Sequence, residues 1–307
     1  MDPVGAAPLL CTPFRTSSVG PSMKPAAFDY HAPATLDQAL DLLRNHGEEA
    51  RILAGGQSLV PTMAFRMARP SVLVDINRIS ALAYTKAEGN SLRIGALARH
   101  AWFETPVAAG PVGALLAQVA HSIAHAPIRQ RGTFCGSLAH ADPASEWCAT
   151  VLALGGTLLL AGPDGRREIA AADWFQGVFT TAIEPGEMLA EVRLPLLDPG
   201  WRCGFAEFSR RAGDFALTMA VVAIRIEDGG MREVRIALGG IGGRPELASR
   251  AAALLIGQPP SAAIAREAAA CAAADCDPQD DIHAPADYRR DLVRSMVRRA
   301  LTQAFAA

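Results

Sequence analysis

Two short stretches of the chain combine glycine with hydroxyl and amide side chains: Ala54-Gly55-Gly56-Gln57-Ser58, followed by Leu59, and Thr133-Phe134-Cys135-Gly136-Ser137. Adjacent glycines open backbone conformations closed to other residues. Successive N–H groups can then converge on one point as an anion-binding nest. A helix beginning just beyond adds partial positive charge, and Ser58 adds a hydroxyl. A pyrophosphate fits such a site without Lys or Arg. A Gly-Gly-Gln-Ser turn is also an ordinary lead-in to a helix, so the first stretch alone leaves both readings open. The second stretch also precedes a helix, with Asp142 and Glu146 just beyond it. Together the two loops could clamp one extended dinucleotide between two lobes. Neither G-x-G-x-x-G nor G-x-x-x-x-G-K-S/T occurs, so such a site would not be Rossmann-like.

Other chemistries find less support. The six cysteines form no C-x-x-C pair, and no Cys/His spacing matches a zinc site or an iron–sulfur ligand run. Cys271 and Cys276 could bridge or ligate, or stay as plain thiols. The pattern suits a reducing cytoplasm. His125 and His140 flank the second loop, and each has two readings: contact with a cofactor or redox partner, or structural packing. No Ser–His–Asp set or paired-carboxylate arrangement suggests hydrolysis. With 29 basic and 31 acidic residues, nothing marks a nucleic-acid surface. The longest near-continuous apolar run, residues 149–161, is too short to span a bilayer and contains Gly155-Gly156.

The elements that must hold these loops can be read from periodicity. Thr35-Leu36-Asp37-Gln38 is a capping box, and the helix it opens has Leu36, Ala39, Leu40 and Leu43 on one face before Gly47 ends it. A strand at 51–53, the first loop, a helix at 59–66 and a strand at 72–76 complete a small α+β unit. Further on, the pattern predicts a strand at 92–97, helices at 100–108, 111–124 and 144–154, a hairpin around Pro163-Asp164-Gly165, and a strand at 188–194. Pro and Gly cluster at 197–200, which places a boundary there. Beyond it come strands at 204–210, 217–226 and 233–238, then helices. The last helix puts Tyr288, Leu292, Val293, Met296, Val297, Ala300 and Leu301 on one face. Arg289, Arg290, Arg294, Arg298 and Arg299 lie mostly away from that face, as a solvated basic face or a docking surface. Residues 1–22 lack periodicity and read as a disordered leader, with no basic flank to make a signal peptide.

Five segments carry a resemblance to a known family. They are residues 24–30 (Lys-Pro-Ala-Ala-Phe-Asp-Tyr), 54–59, 131–143 (Arg-Gly-Thr-Phe-Cys-Gly-Ser-Leu-Ala-His-Ala-Asp-Pro), 210–216 (Arg-Arg-Ala-Gly-Asp-Phe-Ala) and 281–290 (Asp-Ile-His-Ala-Pro-Ala-Asp-Tyr-Arg-Arg). In this order they resemble the FAD-binding medium subunit of the molybdenum hydroxylases, the group of carbon monoxide dehydrogenase and xanthine dehydrogenase. The resemblance implies an α+β fold. A two-lobed FAD domain similar to the vanillyl-alcohol-oxidase type would span 23–198, with lobes of about 23–78 and 79–198. A C-terminal α+β domain would span 199–307. It also implies that Ala54, Gly55, Gly56, Gln57, Ser58 and Leu59 hold the pyrophosphate. Thr133, Cys135, Gly136 and Ser137 would lie opposite, with Asp142 or Glu146 bonding polar groups of the cofactor and Leu189 beside it. The implied partners are a molybdopterin-binding large subunit and a small subunit carrying 2Fe–2S clusters, in a dimer of heterotrimers. This chain would pass electrons from the clusters through FAD to an external acceptor.

Two positions depart from the family pattern. Cys135 stands where a glycine is usual. Were that position left-handed, Cys would cost about 1 kcal/mol or more. In an ordinary conformation it is tolerated and brings a thiol near the cofactor. Glu207 stands near where many relatives carry a basic residue. Two other functions remain: a stand-alone flavin oxidase or reductase, which would need its own substrate pocket and an acid or base at the flavin, and a scaffold subunit without cofactor.

Overall fold

The computed structural model describes residues 23–307, so the expected leader at 1–22 lies outside it. The fold is α+β throughout. Three parallel strands, β1 (Asp29–His31), β2 (Ala50–Leu53) and β3 (Val72–Asp75), form a sheet in the order β1-β3-β2. Helices α1 (Leu36–His46) and α2 (Leu59–Ala64) belong to this unit. The Thr35 hydroxyl accepts the Gln38 N–H, and Gly47 ends α1 at φ +51°. Ala39 and Leu43 are the buried side of that helix.

The second unit is built on five antiparallel strands: β4 (Thr85–Glu88), β5 (Ser91–Gly95), β6 (Thr157–Gly162), β7 (Gly165–Ala170) and β10 (Met188–Pro195), in the order β4-β5-β10-β6-β7. A short hairpin of β8 (Phe175–Gly177) and β9 (Thr180–Thr181) precedes β10. The helices here are α3 (Gly110–Ser122), α4 (Ala126–Arg129), α5 (Phe134–His140), α6 (Glu146–Leu154) and α7 (Ala171–Trp174). Every residue of α6 is buried, which explains the long apolar run in the sequence. Phe134 and Trp147 have ring centroids 4.6 Å apart, and Phe103 lies 5.2 Å from Phe134, so an aromatic cluster fixes α5 and α6 against each other.

The third unit is an antiparallel sheet of β11 (Trp201–Phe208), β12 (Thr218–Glu227), β13 (Gly230–Gly239) and β14 (Glu246–Leu247). Helices α8 (Ser249–Leu255), α9 (Ala262–Asp275) and α10 (Ala286–Ala306) cover one face. The other face joins the second unit: Phe205, Ala216, Met219, Val221 and Ala237 belong to the same buried cluster as Leu116, Leu138 and Trp147. Among the described residues no helix is long and apolar enough to cross a membrane.

Three expectations needed correction. The second Gly/Ser stretch is not a loop ahead of a helix but the first turns of α5: Thr133 is its N-cap, its hydroxyl accepting the Gly136 N–H at 3.1 Å. The helix expected at 100–108 shrinks to a tight turn at His100–Glu104, with Thr105 already extended before Pro106. Arg289 is no member of a solvated basic face. It is buried, and its guanidinium donates to Leu217 O (2.6 Å), Gly240 O (2.8 Å) and Asp281 Oδ2 (2.7 Å).

Candidate cofactor site

The two Gly/Ser stretches meet. A Cβ placed on Gly55 would lie 2.6 Å from Arg131 O and 2.7 Å from Gly132 Cα, so only glycine permits this approach. Gly56 sits at φ +72° and turns the chain into α2. Among the described residues the N–H groups of Gly55, Gly56, Gln57 and Ser58 donate to no protein acceptor. They are free for an anion, as is the N–H of Cys135 in the first turn of α5. Leu53, the 54–57 segment, Val60, Pro61, Asp75, Asn77 and Arg131 line a cavity of about 380 Å³ at this point.

Residues that the sequence did not single out hold the first loop in place. Asn77 Nδ2 donates to Ala54 O at 2.8 Å, and the Asp75 carboxylate accepts the Asn77 N–H at 2.9 Å. Arg99 donates to Asn77 Oδ1 and to Arg131 O, tying both loops to one guanidinium. Burial, reinforced by the neighbouring Arg131 cation, disfavours charge on Arg99. A polyanion between the loops would relieve that stress. An Asx turn directly after a strand, Asp75-Ile76-Asn77, was the available signal for this support.

On the second side, Thr133 and Cys135 are buried. The Cys135 backbone has an ordinary negative φ, so the residue carries no left-handed strain. Its thiol points into the core, 3.6 Å from Ile94 O, and burial pushes its pKa well up. Ser137 Oγ and Ser145 Oγ are 2.7 Å apart. Asp142 closes an Asx turn onto the Ala144 N–H at 2.9 Å. Glu146 is buried at the start of α6, and burial raises its pKa to about 7, with Asp142 adding to the rise. Leu189 is a core residue at a bulge in β10, where the register shifts before Glu191. The structure therefore gathers the first loop and the start of α5, while Leu189 sits under α5 in the apolar interior.

The third unit closes over this side. The Gly213 turn, at φ +85°, rests on the His125 ring, where a Cβ would come within 2.4 Å of Cε1. His140 packs on Phe179, their centroids 4.8 Å apart. His100 lies behind α5, its Nδ1 accepting Trp147 Nε1–H at 2.9 Å, and burial lowers its pKa to about 4. Gly240 N–H donates to Pro143 O at 2.8 Å, so the residue after Asp142 is bonded across the seam.

Comparison with known proteins agrees with this geometry. Residues 26–197 match the FAD binding domain in molybdopterin dehydrogenase, and residues 204–304 match the CO dehydrogenase flavoprotein C-terminal domain. The chain belongs to the FAD-binding medium subunits of the molybdenum hydroxylases. It is 40% identical over 283 residues to the 6-hydroxypseudooxynicotine dehydrogenase complex subunit alpha of Paenarthrobacter nicotinovorans, covering 92% of this chain and 96% of that one. It is 37% identical to the nicotine 6-hydroxylase medium subunit of the same organism, covering 92% of this chain and 99% of that one. A solved carbon monoxide dehydrogenase from Hydrogenophaga pseudoflava superposes with a TM-score of 0.88 at 36% identity, over 92% of this chain and 98% of that one. As a medium subunit, the chain is an oxidoreductase component with FAD as its cofactor.

The cleft fits that cofactor on its own terms. It offers unpaired N–H groups and one cation where a pyrophosphate would lie, and a glycine contact that any Cβ would fill. Outside the lining of that cleft, Glu207 Oε2 of β11 is buried without a hydrogen-bond partner.

Proposed function

We propose that this medium subunit relays electrons between partner-held redox centres and an external acceptor. The partners would be a molybdopterin-binding large subunit and a small subunit with 2Fe–2S clusters, assembled as a dimer of heterotrimers. A cytoplasmic location belongs to the same reading, which the free thiols support. FAD, when bound, supplies a centre that exchanges electrons singly or in pairs. The rest is binding and exclusion by this chain. Gly55, Gly56, Gln57 and Ser58 would donate N–H groups to the pyrophosphate, with Leu59 beginning the helix behind them. Arg131 would balance its charge. Thr133, Cys135 and Gly136 would present the start of α5 from the opposite side, with Ser137, Asp142 and Glu146 toward the sugar-like hydroxyls. Leu189 would keep water out from below.

The observation that carries the reading is the contact of Gly55 with Arg131 and Gly132, which brings the two remote segments together. Relatives named as subunits of dehydrogenase complexes support the relay role over an independent oxidase.

Purification from the native source tests it. The expected result is a yellow complex containing molybdenum and iron, with this chain as its flavin subunit. The isolated chain should bind FAD and fail to oxidise organic substrates. A chain that elutes alone with full activity would overturn the relay reading. A colourless chain that cannot be reconstituted with FAD would overturn the cofactor assignment as well.

A further inference from the structure

Arg99 stands between the two segments of the cleft. Its backbone belongs to the second unit. Arg99 forms an isolated antiparallel bridge with Thr133, His100 N–H donates to Gly132 O at 3.0 Å, and Phe134 N–H donates to Ala98 O at 2.9 Å. Main-chain bonds from residues 98–100 therefore fix residues 132–134, where α5 begins. The side chain reaches both walls. Nη1 donates to Arg131 O, and Nη2 donates to Asn77 Oδ1 at 2.5 Å. Arg131 O is also the atom that a Cβ on Gly55 would strike, so the guanidinium and the first loop meet at one carbonyl.

Asn77 passes this grip on to the first loop. A guanidinium only donates and a carbonyl only accepts, so Asn77 must turn its oxygen to Arg99 and its nitrogen to Ala54. Nδ2 donates to Ala54 O at 2.8 Å and to Asp75 Oδ1 at 2.5 Å. Ala54 directly precedes the unpaired N–H groups of residues 55–58. The line Arg99–Asn77–Ala54 thus sets where those N–H groups stand relative to Arg131 and the start of α5. The guanidinium has no counter-charge in this arrangement. Among the described residues neither Arg99 nor Arg131 forms an ion pair. Asp75, the carboxylate that lines the cleft with Arg131, is occupied by the Tyr30 hydroxyl at 2.5 Å and by both N–H groups of Asn77. A partly buried cation without a partner costs stability, which an anion entering the cleft would recover.

We propose that Arg99 is a positioning residue for the FAD diphosphate: its forked bond to Arg131 O and Asn77 Oδ1 sets the spacing between the first loop and the start of α5. The inference rests on the reading of the cleft as the FAD site. It assigns the spacing to the shape of the guanidinium and not to its charge alone. A lysine keeps the charge, but its single ammonium cannot hold a planar pair of donors on acceptors from two segments. Arg99 acts through Asn77 and Arg131 O, without touching the cofactor itself.

The test is fluorescence titration of the full chain, stripped of flavin, with FAD, followed by phosphorus NMR and visible absorption of the saturated protein. Arg99→Lys should raise Kd about tenfold or more, and so should Asn77→Ala. The double variant should fall well short of the product of the two single effects, because both changes cut the same line of bonds. At saturation the diphosphate resonances of Arg99→Lys should move while the flavin absorption band stays as in the wild type. Thermal unfolding without FAD shows which variants are folded, and the spectra of Arg99→Lys decide the matter even if the double variant is not. If folded Arg99→Lys binds FAD with the wild-type Kd and wild-type phosphorus resonances, the positioning role is refuted while the FAD site stands. If the two single effects multiply, Arg99 does not act through Asn77 and the proposal fails. A shifted flavin band with unmoved phosphorus resonances would place the effect at the wrong end of the cofactor and overturn it as well. If the folded wild type does not bind FAD, the cofactor reading itself falls and takes this inference with it.

Discussion

Gly55→Ala is the sharpest probe of the cleft. The added Cβ would stand 2.6 Å from Arg131 O and 2.7 Å from Gly132 Cα, both backbone atoms that no rotamer change can move. Carbon atoms in ordinary contact lie about 3.5–4.0 Å apart, so the loops must separate by about 1 Å. Overpacking of this kind costs about 1–3 kcal/mol in stability. The larger effect should fall on FAD. An N–H···O bond near its optimum does not survive a displacement of about 1 Å. Each charge-assisted bond lost to the pyrophosphate is worth about 1.5–3 kcal/mol, a tenfold to hundredfold rise in Kd. Gly242→Ala is the control, because a Cβ there meets nothing within 4 Å and its φ is not positive. Fluorescence titration gives Kd, and thermal unfolding without FAD gives the stability term. If Gly55→Ala binds FAD as tightly as Gly242→Ala, the two segments do not form one site and the clamp argument fails.

The clamp on Arg289 should be visible in acid. Burial raises the Asp281 pKa, but hydrogen bonds from Arg289 and from the Ala284 and His283 N–H groups outweigh it and bring it to about 2, below the ordinary 3.8. A depressed carboxyl contributes stability above the unfolded value and loses it as pH falls toward the folded one. Wild-type Tm should therefore drop between about pH 4 and pH 2 more than that of Asp281→Asn. The difference is modest, because Asp281 is partly exposed and solvent screens the pair. Equal acid slopes would refute the clamp. Cys135 should resist alkylation in the native chain, because its thiol is buried in the core and held protonated. Mass spectrometry should find the more exposed Cys271 modified first, and early labelling of Cys135 would show that the start of α5 opens readily.

What was legible in the sequence was mostly local. The Thr35 cap, the Gly47 stop and the turn around Asp164-Gly165 each act within a few residues, and the structure shows all three, with the Gln38 amide reaching back to the Ala34 N–H instead of the N-cap's own. The glycine loops were legible as chemistry, but not their contact. The steric need for Gly55 comes from Arg131 and Gly132, a relation that no local pattern encodes. The burial of Arg289 is hidden from the sequence for the same reason. On a helical wheel it sits beside solvated arginines, yet three acceptors, two of them from distant strand ends, converge on it. The start of α5 reads as a loop in sequence because Thr, Cys, Gly and Ser are weak helix formers. Capping by Thr133 and burial of Phe134 and Leu138 override that preference. Glu207 reads in sequence only as a departure from the family pattern, since the burial of its Oε2 depends on which face of β11 meets the second unit.

The core that runs from Trp147 and Leu138 through Phe205 to Val221 has a consequence for how such chains can evolve. Two regions recognisable as separate domains by sequence share one interior, so neither is a free module. Exchanging the C-terminal region between relatives would transplant half of a packed interface, and such chimaeras should survive only when both faces of the seam are swapped together. Variation in acceptor or partner should therefore accumulate in the exposed turns, where a change does not have to be matched across the molecule.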